Sequence, residues 1–176
     1  LLGGTGNVDY TLDANHVVDH LSKAFCGEGQ HLYVPAVVSH VQTKRTLMKE
    51  DSIRQIMNAY DHLNVALVGI GTADNTSSAF RSGYYSDEMK QQAIKDQVCG
   101  DICMHLFDKE GRTDRFPYNK QIVGVNLNKL KKVPYAIGIA NGVRKAEAIR
   151  GAIKGGYINV LVTDAQCGEA LTRLND

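Results

Sequence analysis

Two kinds of apolar segment alternate along this 176-residue chain, and the alternation limits the folds open to it. Short apolar runs predict strands at residues 32–38, 65–70, 102–107, 122–125, 135–140 and 158–162, and we expect the first two to be buried on both faces. Apolar residues at helical spacing predict amphipathic helices at residues 13–25, 51–63, 86–98, 145–154 and 165–174. Strands alternating with helices favour right-handed βαβ crossovers. The sequence therefore predicts an α/β fold, a Rossmann-like mainly parallel sheet flanked by helices.

Residues with capping and turn preferences mark the ends of several elements. Asp13 and Asp51 are the predicted N-caps of the first two helices, and Gly27 is the predicted C′ residue of the first. Ser86 opens the third helix, and acidic residues follow it in the first turn. Residues 108–111 predict a hairpin turn. No linker, internal repeat or low-complexity tract divides the chain, so we expect one domain over residues 1–176.

Composition and charge exclude several classes of protein. The chain is 43% hydrophobic and 22% charged, close to the average of globular proteins. Its 20 Lys and Arg against 19 Asp and Glu give a net charge of +1, without the cationic excess that drives non-specific binding to phosphate backbones. No run approaches the ~18 apolar residues of a membrane span, and no signal-peptide pattern opens the chain. These features predict a soluble, cytoplasmic protein with no membrane partner.

The cysteines and the first residues add two expectations. The four cysteines are too few for a disulfide scaffold, so we expect reduced thiols. The chain opens on Leu1-Leu2-Gly3-Gly4 without Met, which indicates a strand end running into a glycine loop and a fragment of a longer protein.

Ligands of open α/β sheets bind beyond the carboxyl ends of the strands, so the loops there are the candidate binding segments. Five loops qualify: residues 3–7, 42–45, 69–72, 141–145 and 163–164. The first and third combine glycines with a hydroxyl residue, the composition of a backbone anion nest, although a tight turn explains either one equally well. A dinucleotide fingerprint is excluded because Asp9 and Asp74 stand where its third glycine belongs, and no nucleotide P-loop is present.

Two further positions suggest ligand chemistry. Asn141-Gly142-Val143-Arg144-Lys145 leaves a strand and enters a helix, which places two cations at the positive end of the helix dipole. We favour a bound phosphate there over two merely solvated side chains. Asp101 follows Gly100 in an apolar strand, where its carboxylate either accepts hydrogen bonds from the hydroxyls of a polyol or caps a neighbouring turn.

Two clusters of metal-ligand residue types lack the pattern of a metal site. His16 and His20 share a helix face without the Glu of a zinc helix, which favours a solvated polar face. Cys99 and Cys103 have no second ligand pair at zinc-site spacing, which favours core thiols. The sequence predicts neither a metal nor a cofactor.

Taken in order, the motifs resemble the effector-binding domain of SorC/DeoR-type bacterial sugar-responsive transcriptional regulators. The resemblance rests on five segments: Gly3-Gly4-Thr5-Gly6 with the following Asn15-containing helix, residues 68–71, residues 100–102 with 107–111, residues 139–149, and residues 158–164. Each segment is short and degenerate, but together they cover nearly the whole chain. The family has the fold of ribose-phosphate and glucosamine-phosphate isomerases, and its members sense phosphorylated sugars.

The resemblance implies an effector site and partners. It places a sugar phosphate on Gly4, Thr5 and Lys145, with Gly71 and Thr72 lining the site and Asp101 near the sugar hydroxyls. The candidate effector-binding residues, counting the loops as well, are Gly4, Thr5, Gly6, Asn7, Gln42, Lys44, Gly71, Thr72, Asp101, Asn141, Gly142 and Lys145. The implied partners are a phosphorylated sugar, first of all a pentose phosphate; operator DNA, contacted through a helix-turn-helix domain that these residues lack; and further copies in a dimer or tetramer.

Three functions follow from this site. The leading one is a non-enzymatic sensor that modulates DNA binding by the attached helix-turn-helix domain. The alternative is a sugar-phosphate isomerase of the same fold, with Asp101 or Asp164 as its base. A weaker third option is a vestigial pocket. Lys44 or Lys145 could also form an imine with an aldehyde sugar.

Overall fold

A computed structural model describes residues 1–4, 13–74, 77–81 and 85–174, and it forms two compact units. The first unit comprises residues 1–62 and 120–125, and the second comprises residues 63–119 and 126–176. One functional domain over residues 1–176 stays a prediction, now with two compact parts inside it.

The described residues of the first unit form the α-helices α1 (Ala14–Ala24), α2 (Val41–Leu47) and α3 (Asp51–Ala59). Asp13 accepts the N–H of Asn15 at 2.8 Å, which confirms the predicted N-cap of α1. The predicted C′ residue Gly27 is wrong, because Cys26 takes the left-handed conformation with φ of 52°. The N-cap of α3 is Glu50, one residue before the predicted Asp51.

Three further predictions for the first unit are wrong. Residues 42–45 lie inside helix α2 and not in a loop, because they contain neither Gly nor Pro and consist mostly of good helix formers. Residues 32–38 and 122–125 form no continuous strands, and only isolated bridges such as that between Val37 and Ile122 join them. Burial alternates along 32–38, with Val34 buried and Tyr33 81% exposed, so only one face is covered.

The second unit begins with two strands, which belong to different sheets, and two helices. These are β1 (Val65–Gly69), β2 (Gly71–Thr72), α4 (Ser78–Arg81) and α5 (Asp87–Lys95). It continues with β3 (Val98–Ile102), β4 (His105–Asp108), α6 (Leu127–Leu130), β5 (Tyr135–Ile139), α7 (Ala146–Lys154), β6 (Val160–Val162) and α8 (Ala165–Arg173).

Strands β1, β5 and β6 form the predicted parallel sheet, in the order β1-β5-β6. Burial alternates along β1, with Ala66 and Val68 buried and Val65 and Leu67 about half exposed. The prediction that this strand is buried on both faces is therefore wrong. Helix α7 starts at Ala146, one residue after its predicted start, and follows the 3₁₀ turn Val143–Lys145.

Strands β2, β3 and β4 form a second sheet, which is antiparallel. The predicted single strand 102–107 is two strands joined by a hairpin turn at Cys103 and Met104. Residues 108–111 do form a turn, in which the Gly111 N–H donates to the carbonyl oxygen of Asp108 at 2.8 Å, but this turn follows β4 and does not join two paired strands. Residues 71–72, predicted as loop, pair with β3 as a strand. Helix α5 has its predicted N-cap Ser86 but ends at Lys95, three residues before Val98. No helix in the described ranges is long and apolar enough to cross a membrane.

Candidate functional site

Asp101 on β3 is a buried acidic residue of the second unit. It is only 6% exposed, and its Oδ1 atom has no hydrogen-bond partner among the described residues. Burial raises the pKa of its carboxyl to about 6, while the Met104 N–H and the charge of Lys145 act in the opposite direction. A buried acceptor without a partner is costly to keep, so this oxygen suits a ligand hydroxyl.

Close backbone approaches hold Asp101 in place. Gly71 of β2 is its register partner, and a Cβ at Gly71 would lie 2.0 Å from the Asp101 Oδ1. A Cβ at the neighbouring Gly100 would lie 2.7 Å from the Cβ of Ala148, because α7 packs directly on β3. Any larger residue at these two glycines would displace the carboxylate or the helix.

Lys145 brings a cation to the same part of the unit. Its Nζ donates to the carbonyl oxygen of Ile70 at 2.6 Å, and its charge lowers the pKa of Asp101. An ammonium has three protons to donate, so two remain after the Ile70 bond. Lys145 therefore keeps donors for an anionic group while its chain is fixed at the end of β1.

A strained turn supports the carboxylate from the other side. Cys103 and Met104 have φ of 47° and 62°, a conformation that non-glycine residues rarely adopt. The buried hydroxyl of Tyr85 donates to the carbonyl oxygen of Met104 at 2.7 Å, and the Met104 N–H bonds the Asp101 carboxylate. Burial raises the pKa of the Tyr85 hydroxyl, and the negative charge of Asp101 raises it further.

Some hydrogen-bond donors of the segment 141–145 already bond to other residues of the protein. Gly142 has φ of 93°, and its N–H donates to Oδ2 of Asp164 at 2.5 Å. Oδ1 of Asp164 accepts the N–H of Cys167 at 2.9 Å as the N-cap of α8. Asn141 is exposed beside this pair of loops. The Asp164 carboxylate is thus a structural clamp, and the Gly142 and Cys167 N–H groups lower its pKa.

A cavity of about 440 Å³ opens in the second unit between two predicted loops. Thr72 and Arg144 line it together with Asp108, Arg112 and Arg115. Asp108 is 2% exposed and accepts from Arg112 at 2.8 Å, with Arg115 at 3.6 Å. Arg144 makes no ion pair within the part of the chain that the structure describes, so it faces this cavity with its donors available.

The remaining predicted residues belong to the first unit. The N–H of Gly4 donates a hydrogen bond to the carbonyl oxygen of Val34 at 2.8 Å. Gln42 and Lys44 lie on α2, where they line a second cavity of about 670 Å³. Thr5, Gly6 and Asn7 lie outside the described residues.

The structure thus brings together Gly71, Asp101 and Lys145, and sequence reasoning missed their supports. The Tyr85 hydroxyl and the Ile70 carbonyl carry no motif that would single them out. The turn at Cys103–Met104 also has no recognisable turn sequence, because it contains neither of the residues, Asn and Gly, that such turns favour. Among the described residues no group of three His, Cys, Asp or Glu side chains is arranged to hold a metal ion.

Comparison with known proteins identifies the family. A family model described as "putative sugar-binding domain" matches residues 1–173. The deoxyribonucleoside regulator of Bacillus subtilis is 32% identical over 171 residues, which are 97% of this chain and 54% of the regulator. The chain spans about half the length of the curated relatives it matches.

Solved structures agree with this family. The full-length sorbitol operon regulator SorC of Klebsiella pneumoniae has a TM-score of 0.89 at 29% identity, over 97% of this chain and 56% of that one. A DeoR family transcriptional regulator of Listeria monocytogenes has a TM-score of 0.89 at 28% identity, over 97% of this chain and 67% of that one. These relatives are transcriptional regulators and not enzymes. The chain belongs to this family of sugar-binding domains, of the SorC and DeoR type.

Proposed function

We propose that this chain is the effector-binding part of a bacterial transcriptional regulator and that its second unit binds a phosphorylated sugar. Two observations on the described residues carry the proposal together: the buried Asp101 Oδ1 has no partner among them, and the ammonium of Lys145 uses only one of its donors, on the Ile70 carbonyl. The carboxylate accepts hydrogen bonds from sugar hydroxyls, and the ammonium binds the phosphate. Gly71 and Thr72 border the site. A pentose phosphate is the first candidate.

Regulation follows from coupling this site to DNA. A helix-turn-helix domain elsewhere in the regulator binds the operator in the cytoplasm, and the chain assembles as a dimer or tetramer. The effector shifts DNA affinity only by its differential affinity for the two states, typically about 1–3 kcal/mol, and DNA shifts effector affinity by the same factor.

The isomerase alternative finds little support. Asp164 has both carboxylate oxygens engaged by backbone N–H groups, and its pKa is lowered, so it is a poor proton acceptor. Asp101 alone would have to serve as the base. The named relatives, moreover, are regulators.

A thermal-shift screen tests the proposal. The chain is heated with ribose 5-phosphate, deoxyribose 5-phosphate, fructose 6-phosphate and the parent sugars, and turnover is assayed for every stabilising compound. A ligand at about 100 times its Kd adds about 2.7 kcal/mol of stability, which raises the Tm of a domain of this size by about 5–10 °C. Stabilisation without turnover supports the sensor. Turnover would replace it with the isomerase, and no shift from any sugar phosphate would leave the vestigial pocket.

An imine is a separate extension of the proposal. The lysine amine would add to an aldehyde carbon, and loss of water would leave a C=N bond. Lys145 is the candidate amine at the proposed site, whereas Lys44, whose pKa is lowered by burial, lies in the first unit. Borohydride trapping with deoxyribose 5-phosphate and mass measurement tests it, and an unmodified protein would rule it out.

A further inference from the structure

We infer that the first unit carries an anion site of its own, for a small phosphate compound with two or more negative charges. The site is the cavity of about 670 Å³ bordered by Lys44, Arg45, Lys49 and Lys120, called here the four-cation cavity. Three of these cations lie on or just after α2, and Lys120 lies in the 3₁₀ turn Pro117–Gln121. The inference concerns only this unit and does not depend on the proposed function.

The charged residues that line this cavity are all positive. None of the residues that line it is acidic, and none of the four cations makes an ion pair within the described ranges. The whole chain has 20 basic and 19 acidic residues, so 16 basic residues remain against 19 acidic ones outside the cavity. Positive charge is therefore concentrated here, on a chain that is otherwise slightly acidic.

Helix α2 alone does not account for this cluster. Lys44 and Arg45 lie in its last turn, where the helix dipole favours cations. Lys49 lies beyond the C-cap Met48, and Lys120 comes from a distant segment. Four like charges that meet around one space repel one another unless an anion enters.

The surroundings of Lys44 point in the same direction. Burial lowers the pKa of its ammonium, because the half-buried side chain loses water, and Lys44 makes no ion pair within the described ranges. A bound anion would supply that compensation. Gln42 adds an amide donor, and Val41 and Met48 add apolar walls for the body of a ligand.

The size of the space selects the kind of ligand. Small-molecule sites have volumes of about 300–1,000 Å³ with a few charged groups on apolar walls, and this cavity fits that class. A nucleic-acid surface would instead need basic residues spread along a groove. The pattern therefore favours a small phosphorylated compound. It also gives Gln42 and Lys44, predicted as effector residues, a role within the first unit.

Pyrophosphate is the probe for this site. The ¹⁵N–¹H amide spectrum of the 176-residue chain is recorded during a titration at ionic strength held constant with NaCl. We expect saturable shifts of the amides of residues 41–49 and Lys120, with inorganic phosphate weaker than pyrophosphate. The double variant Lys49→Gln/Lys120→Gln should bind about tenfold more weakly or worse.

A matched control keeps this test decisive. Lys23 is an exposed lysine of α1 in the same unit, and Lys23→Gln should leave the affinity for pyrophosphate unchanged. The Tm of each variant confirms that it is folded. Shifts confined to other amides, shifts without saturation, an unchanged affinity in the double variant, or a response only to duplex DNA would each overturn the inference. Loss of sugar-phosphate binding in Lys145→Met with pyrophosphate binding intact would leave it standing, because that result concerns the second unit alone.

Discussion

Gly71 lies where any side chain would collide with the carboxylate of Asp101. A Cβ at Gly71 would be 2.0 Å from Oδ1 and 3.0 Å from Cγ, whereas ordinary contacts begin near 3.4 Å. In Gly71→Ala the carboxylate oxygen must therefore move by roughly 1.4 Å (3.4 minus 2.0). Asp101 is 6% exposed, so it has little free space into which to move.

The cost follows from what that movement breaks. Overpacking a core costs about 1–3 kcal/mol, and disturbing the buried hydrogen bond from the Met104 N–H adds to it, so we expect about 2 kcal/mol in all. For a chain of 176 residues this lowers the Tm by about 4–8 °C. Affinity for a sugar phosphate should fall by about tenfold or more, because the oxygen that we propose as the acceptor of a sugar hydroxyl is displaced.

Gly69→Ala is the matched control for this prediction. Gly69 ends β1 two residues earlier, and a Cβ there would meet nothing within 4 Å. Urea and thermal unfolding give the two stabilities, and calorimetry with deoxyribose 5-phosphate gives the two affinities. If Gly71→Ala matched Gly69→Ala in both quantities, the close approach of Gly71 and Asp101 would be wrong.

Three further predictions concern the surroundings of this carboxylate. Burial raises the pKa of Asp101 from 3.8 to about 6, so the folded state holds this proton more tightly than the unfolded state does. As the pH rises from about 4 to about 6, wild type should therefore lose about 3 kcal/mol of unfolding free energy relative to Asp101→Asn. Urea unfolding of both proteins at pH 4, 5, 6 and 7 measures this difference, and a constant difference would contradict it. Sugar-phosphate affinity should rise as the pH passes from about 5 to 7, because only the ionised carboxylate accepts two hydroxyls; a pH-independent Kd in calorimetric titrations would contradict the assignment. Tyr85→Phe should lower the free energy of unfolding by about 1–2 kcal/mol and weaken sugar-phosphate binding, because the Met104 carbonyl loses its hydrogen-bond donor. Tyr135→Phe, which changes an exposed side chain, should alter neither quantity. Equal effects of the two variants in unfolding and binding assays would refute this role of Tyr85.

Local patterns in the sequence predicted the elements that local interactions determine. Apolar spacing and the capping side chains of Asp13 and Ser86 predicted α1 and the start of α5, because helix ends depend on neighbouring residues. Helix α2 was missed although Val41, Lys44 and Met48 lie at helical spacing, because the segment was interpreted as the loop after a strand.

The supports of the candidate site depend on contacts between distant residues. Gly71 lies opposite Asp101 only through antiparallel pairing across 30 residues, and the Lys145–Ile70 bond joins residues 75 apart. The turn at Cys103 and Met104 contradicts the usual residue preferences and is held by Tyr85. The periodicity of apolar residues cannot predict such long-range pairings, although the motifs identified Gly71, Asp101 and Lys145 individually as candidate site residues.

The most direct test of the central claim is a calorimetric titration of the chain with deoxyribose 5-phosphate and with deoxyribose. We expect saturable binding of the phosphorylated sugar and much weaker binding of the unphosphorylated one. Lys145→Met should weaken binding by about 100-fold, the effect of losing a charged hydrogen bond of about 2–3 kcal/mol, whereas Lys95→Met on the exposed surface of α5 should leave it unchanged. Equal binding of the two sugars, or an unchanged affinity in Lys145→Met, would contradict the account.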